Sequence, residues 1–185
     1  MISIAIMCSG KGRLLKYLYD EIELNKLEAN INAVFCSRHC LAEKIARNKG
    51  TNVFVIPGSL DSETMGIAIK RYDIDLLILT GYTKKVNIPK SFYKKCINIH
   101  PSLLPKHGGL GKYGKKVHES VLKSGEKETG CTIHFVDDKY DHGEIILQKK
   151  CEILSLDNVD SLSKKVFELE KIAIVEAIKD FNKKG

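Results

Sequence analysis

The stretch Ile2-Ser3-Ile4-Ala5-Ile6-Met7-Cys8-Ser9-Gly10-Lys11-Gly12-Arg13-Leu14-Leu15 carries three signals in succession. Ile2 to Met7 is an apolar run with the length of a buried strand. Ser9-Gly10-Lys11-Gly12 is a tight, glycine-containing turn. From Leu14 to about Glu23, apolar residues recur at helical spacing. A strand that passes through a short turn into a helix is the opening half of a βαβ unit, and such units build parallel sheets.

The alternation continues along the chain. Ile31 to Cys36 reads as a second strand, Leu41 to Lys49 as a helix ended by Gly50, and Val53 to Ile56 as a third strand. Asp61 to Tyr72 is helical, with Ser59 or Asp61 available as its cap. Leu76-Leu77-Ile78-Leu79 is apolar throughout, as a strand covered on both faces should be. Pro89 to Lys94 suits a short helix ahead of the strand Cys96 to Ile99. An irregular section follows from Pro101 to about Tyr113, carrying Gly108, Gly109 and Gly111, with Gly114 just beyond. Loops of this length in a compact domain are usually functional. Lys115 to Lys123 is helical, and Cys131 to Val136 and Glu144 to Leu147 are two strands around the acidic turn Asp137 to Gly143. Val159 to Asn182 is a long amphipathic helix with Leu162, Val166, Leu169, Ala173 and Ile174 on one face. The expected fold class is α/β: an open, mostly parallel twisted sheet with helices on both faces and an antiparallel addition near the C-terminus. One domain over residues 1–185 is the simplest account.

Composition narrows the function classes. The chain is 43% hydrophobic and 29% charged, as expected of a globular protein. No apolar run approaches the ~20 residues of a membrane span. The start, Met1 to Met7, lacks the basic residues and length of a signal peptide, so the expected compartment is the cytoplasm. The net charge of +7 resides largely in scattered pairs such as Lys84-Lys85, Lys94-Lys95 and Lys115-Lys116. Aromatics do not interleave with them, which argues for a solvated lysine-rich surface over a nucleic-acid groove. The same field suits a small polyanionic substrate. Most of the six cysteines lie in or beside apolar strands and are expected to be free thiols. Cys36-Ser37-Arg38-His39-Cys40 has no second spaced ligand pair, so no metal is expected.

Three places can carry chemistry. In the glycine turn, Gly10 and Gly12 can let backbone amides approach a phosphate, with Lys11 or Arg13 adding charge, and a plain tight turn would look the same. Asn98 and His100 are two apart on a strand, so both side chains share a face. An amide donor beside an imidazole can polarise a carbonyl and handle a proton, although such a pair is often only structural. On the final helix, Glu170 has Val166, Phe167, Ala173 and Ile174 as its surface neighbours, whereas Glu168 has Lys164, Lys165 and Lys171. Glu170 therefore faces inward and needs a partner, either an ion pair or a ligand.

Asn98-Ile99-His100-Pro101-Ser102-Leu103-Leu104-Pro105, then Thr129 to Val136, then Asp141-His142-Gly143-Glu144-Ile145-Ile146-Leu147-Gln148 together resemble the folate-dependent formyltransferases. Within them the likeness is strongest to those that formylate glycinamide ribonucleotide in purine synthesis. It covers nearly the whole chain and implies a Rossmann-like formyltransferase core. It also implies 10-formyl-tetrahydrofolate as co-substrate and Asn98, His100 and Asp141 as the catalytic trio. Asn98 would hydrogen-bond the formyl oxygen, His100 would do the same or relay a proton, and Asp141 would hold the imidazole or a water and help move the proton. The resemblance further implies that Gly10, Lys11, Gly12 and Arg13 grip the acceptor phosphate, and that Glu170 binds near the acceptor amine. Tyr82, Thr83, Lys84, Lys85 and Val86, with Asp141, would meet the folate. His134 would face the site as a supporting residue. The loop 108–114 would close over a ligand, with His118 packing beneath it.

The chain departs from the family at two points. Lys11 and Arg13 stand where Asn and Ser are usual, and the segment Tyr82 to Val86 replaces a more apolar one built around an arginine. An amino-sugar nucleotide N-formyltransferase shares the trio, but such enzymes usually carry more chain beyond the core, as do those that formylate methionyl-tRNA. A binding module without catalysis is the reading from a different class. The expected partners are small molecules, a phosphorylated amine and a folate, with no nucleic acid or membrane, in a monomer or homodimer.

Overall fold

The computed structural model describes residues 1–184, which form two compact units. The first comprises residues 1–97 with the end of the final helix from Ile178, and the second residues 98–177.

The opening run forms β1 (Ile2–Cys8), in which Ile4, Ala5, Ile6 and Met7 are fully buried. It pairs in parallel with β2 (Ala29–Cys36) on one side and β4 (Leu76–Thr80) on the other, and β2 pairs in parallel with β3 (Asn52–Val55). The order within this unit is β3-β2-β1-β4, with the first residues of β5 (Cys96–His100) next to β4. The chain thus steps outward through β2 and β3, then returns to the opposite side of β1. Such a reversal leaves a crevice at the carboxyl ends of β1 and β4, where ligands of open α/β sheets bind. The helices α1 (Arg13–Glu23) and α2 (Leu41–Asn48) pack on each other and on β2. In α3 (Ser62–Arg71), Asp61 is the cap: its carboxylate accepts from the Thr64 amide at 2.8 Å. The short helix expected at Pro89 to Lys94 is a single 3-10 turn, Lys90–Phe92, and Lys94 just beyond it has a φ of 60°.

The second unit receives the end of β5, then α4 (Lys115–Lys123), the antiparallel pair β6 (Glu128–Phe135) and β7 (Ile145–Glu152), and α5 (Val159–Lys184) as far as Ala177. β6 begins at Glu128 rather than Cys131, and β7 continues to Glu152 rather than Leu147, because the ladder from His134↔Ile145 to Glu128↔Glu152 is made by backbone. The polar run Gln148-Lys149-Lys150 hid this extension. β7 is the last strand of the order and only partly buried, a place where lysines protect an open edge. On α5, Leu162, Val166, Ala173 and Ile174 are fully buried as the periodicity predicts, while Leu169 is half-buried.

At two glycines the backbones come too close for a side chain. A Cβ at Gly130 would lie 1.8 Å from the Lys149 carbonyl oxygen, and one at Gly143 would lie 1.9 Å from that of Phe135. Gly130→Ala should therefore lower stability by more than about 2 kcal/mol, against less than about 0.5 kcal/mol for Gly58→Ala, whose Cβ meets nothing within 4 Å. Urea unfolding midpoints of the two variants check this, and equal midpoints would remove the steric account.

Candidate active site

Asn98 and His100 project from the same face of β5, and β6 offers Thr132 and His134 at the matching two-residue spacing. Asp141 enters from the turn between β6 and β7 with a φ of 51°, a left-handed conformation that Asp tolerates better than most residues. The close approach of Gly143 to the end of β6 sets that turn, and the Phe135 amide donates to the Glu144 carbonyl at 2.9 Å.

The trio meets inside the second unit. The Asn98 Nδ2 donates to Asp141 Oδ1 at 3.2 Å and lies 3.0 Å from His134 Nε2. His134 Nδ1 donates to the Phe135 carbonyl at 2.7 Å, and its Nε2 also lies 3.7 Å from Asp141 Oδ1. His100 is 3% exposed, with Nδ1 3.4 Å from Asp141 Oδ2 and Nε2 3.1 Å from the His107 carbonyl. Each of its nitrogens thus faces an acceptor: a neutral ring can donate to one and an imidazolium to both. The backbone of residues 107–109 closes the site, since the Gly109 amide donates to Asp141 Oδ2 at 2.9 Å. Gly108 permits this, because a Cβ there would lie 2.5 Å from the Leu104 side chain and 3.1 Å from that of Asp141.

Burial pushes the Asp141 carboxyl up, but the adjacent His100 and His134 and the Gly109 amide prevail and hold it well below its ordinary value of 3.8. It is a carboxylate at neutral pH, aimed with an amide and an imidazole at one place. That set can steady positive charge on an attacking amine, donate to a carbonyl oxygen and pass a proton.

Sequence reasoning missed the supports of this cluster. The Thr132 hydroxyl donates to the Ser102 carbonyl at 2.7 Å and accepts from the Leu104 amide at 3.0 Å. Gln148 donates to both the Leu104 carbonyl and Thr132. Together they hold the loop 101–105, whose Leu104–Pro105 peptide is cis. Polar residues alternating along an otherwise buried strand, Thr132 and His134, were the available signal.

Glu170 is half-buried and Glu168 exposed, as the helical spacing predicts. Glu170 lies near β6, since burial and then its charge push the Cys131 thiol up to about 12.

The remaining sequence candidates belong to the first unit. Gly12 caps α1 at a φ of 64°, and a Cβ there would lie 2.7 Å from that of Ala42. Among the described residues no side chain caps α1, and Lys11 and Arg13 are exposed at its start. Arg38 reaches this turn, its Nε donating to the Ser9 carbonyl at 2.8 Å. Buried Ser9 ties the turn to the segment 82–86, because its Oγ accepts from the Ser37 hydroxyl at 2.6 Å and the Thr83 amide at 3.0 Å. Within that segment Val86 is buried, and the Tyr82 hydroxyl is buried without a hydrogen-bond partner. Lys84 and Lys85 are the exposed members.

Among the described residues, no group of three or more His, Cys, Asp or Glu is placed to hold a metal.

Residues 2–178 match the family model described as formyl transferase. The chain belongs to the formyl transferase family. This formyl transferase is 32% identical over 185 residues to the chloroplastic phosphoribosylglycinamide formyltransferase of Vigna unguiculata, covering 95% of this chain and 59% of that protein. It is 33% identical over 181 residues to the Haemophilus influenzae phosphoribosylglycinamide formyltransferase, covering 92% of this chain and 82% of that one. It therefore spans about three fifths of the length of the first plant relative. Among solved structures it resembles glycinamide ribonucleotide transformylase 1 of Symbiobacterium toebii, with a TM-score of 0.84 and 29% identity over 96% of this chain and 86% of that one. The mixed sheet with flanking helices expected from the sequence is the Rossmann-like core of this family.

The depressed Asp141 pKa has a defined sign. Its contribution to stability is complete above the unfolded value of 3.8 and is lost as pH falls from there through the folded value. In urea unfolding, the stability gap between wild type and Asp141→Asn should hold from neutral pH to about pH 5 and close only below that. A gap that closes between neutrality and pH 5 would show that the carboxyl is not held low.

Proposed function

We propose that this formyl transferase carries the formyl group of 10-formyl-tetrahydrofolate to the primary amine of glycinamide ribonucleotide in de novo purine synthesis. The reading is carried by one observation: the half-buried carboxylate of Asp141 shares a cluster with the Asn98 amide and the His100 imidazole. The bound folate supplies an activated formyl carbon attached to nitrogen.

The transfer makes a bond from the acceptor nitrogen to that carbon and breaks the bond to the folate nitrogen, which receives the proton the amine gives up. The Asn98 amide is the donor suited to the formyl oxygen as it gains negative charge, and its two N–H groups would exchange an internal partner for that oxygen. A carboxylate with a lowered pKa is a weak base at neutral pH. The first role of Asp141 is therefore to stabilise the amine as it becomes positive, and the imidazole of His100 beside it relays the proton. The uncapped start of α1 with Lys11 and Arg13 suits the acceptor phosphate, and Lys84 and Lys85 suit an anionic group on the folate.

The two exposed cations of the glycine turn also favour a second reading, an amino-sugar nucleotide with two phosphates as the acceptor. Mixing the protein with 10-formyl-tetrahydrofolate and each amine, and following release of tetrahydrofolate by absorbance, separates the readings. Turnover with glycinamide ribonucleotide is expected. Turnover with the amino-sugar nucleotide alone would transfer the assignment to the second reading, and silence with every amine would leave a binding module. Asp141→Asn and His100→Ala should each lower kcat by about 10²-fold or more with smaller changes in KM. Wild-type rates in both would overturn their roles.

Glu170→Gln should act on acceptor binding instead, weakening it roughly tenfold or more if the carboxylate meets the amine. Titration calorimetry with glycinamide ribonucleotide checks this, and unchanged affinity would leave Glu170 a structural partner.

A further inference from the structure

His107 belongs to none of the roles described so far, yet its carbonyl holds the innermost catalytic candidate. The His107 carbonyl lies 3.1 Å from His100 Nε2, so the ring of His100 is aimed partly by the direction of that carbonyl. His107 reaches this position with a φ of 60°, in the left-handed region that few residues other than glycine enter.

Its imidazole is tied to α4 and the residues just after it. Nδ1 is 3.0 Å from the hydroxyl of Ser120 on α4. Nε2 is 3.4 Å from the hydroxyl of Ser124 and 3.7 Å from Glu126 Oε1 just after that helix. An open cleft of about 240 Å³ beside the loop is lined by Leu104, Lys106, His107, Val121, Glu126 and Gln148 among others. On that open side the loop is held by polar anchors, His107 to Ser120 and Lys106 to Glu126.

We propose that His107 is a positioning residue for formyl transfer: its side chain, anchored to α4, sets a left-handed backbone turn whose carbonyl orients the His100 ring toward Asp141. This rests on the assignment of His100 to formyl transfer. The connection runs Ser120 to His107 imidazole, His107 carbonyl to His100 Nε2, and His100 Nδ1 to Asp141. Two residues on, the Gly109 amide fastens the other side of the same carboxylate. Loss of the anchor would let the carbonyl swing away and free the ring, without removing any group that could touch substrate.

Three variants separate anchoring from folding: His107→Ala removes the imidazole, Ser120→Ala removes its partner (with the Lys112 Nζ contact to the same hydroxyl) and leaves the loop sequence intact, and His107→Asn keeps a side chain that tolerates the left-handed turn. Loss of kcat of about tenfold is expected for His107→Ala, with KM for both substrates within about twofold, because misorientation of a catalytic group acts on the chemical step. Ser120→Ala should show a smaller loss of the same kind, and His107→Asn should recover part of it.

A second measurement needs no substrate. The imidazole 15N–1H signal of His100 Nε2, assigned by its disappearance in His100→Gln, should be protected from solvent exchange in the wild type. It should be broadened or lost in His107→Ala and in Ser120→Ala. Loss of protection supports the inference even in a protein that formylates none of the amines tested, which would count against the formyl-transfer reading alone. A protected signal and wild-type kcat in both anchor variants would overturn the inference. So would an equal rise in both KM values with kcat unchanged.

Discussion

The second unit is organised around a carboxylate that has to stay charged away from bulk water. An isolated ion in such a place would be disfavoured, and Asp141 is held as a carboxylate by the two imidazoles, the Gly109 amide and the Asn98 side-chain amide around it. Much of the local geometry follows. Asp141 sits in a left-handed turn, Gly143 lets that turn close on the end of β6, and Gly108 lets the loop backbone come within reach of Oδ2. Each of these would be a liability elsewhere. Here each supplies or admits a partner for one charge.

The polar residues of β5 and β6 have the same logic. Asn98, His100, Thr132 and His134 alternate with the buried apolar Ile97, Ile99, Cys131 and Ile133, and each has a partner in the second unit. A buried network that is fully satisfied is rigid and holds one arrangement, which suits a site whose chemistry needs fixed donors. The Asn98 amide and the His100 ring are thus already paired within the protein.

The first unit solves a different problem with the same economy of parts. The reversal of strand order around β1 leaves two turns at the carboxyl ends of β1 and β4, and the buried hydroxyl of Ser9 links them. Because Ser37 and the Thr83 amide both donate to one oxygen, the glycine turn and the segment 82–86 are held as one piece. The Tyr82 hydroxyl and Val86 turn inward, and Lys84 and Lys85 are the exposed side chains of the segment.

The sequence by itself determined the alternation of strand and helix, the parallel first half, the inward stripe of α5 with Glu170 on it, and the pairing of Asn98 with His100. Those are consequences of periodicity, which local spacing carries. It also marked the motif around Asp141, though only through resemblance, since three acidic residues in one turn look alike when read singly. Only the tertiary structure decided which of them enters the site, how far β7 extends, and that Ser9, His107 and Thr132 hold the loops. Strand extension and loop anchoring are made by backbone ladders and by hydroxyl and imidazole groups meeting residues distant in the chain. Such partners leave no trace in the local spacing, because a polar side chain has the same appearance in sequence whether it faces water or a buried carbonyl.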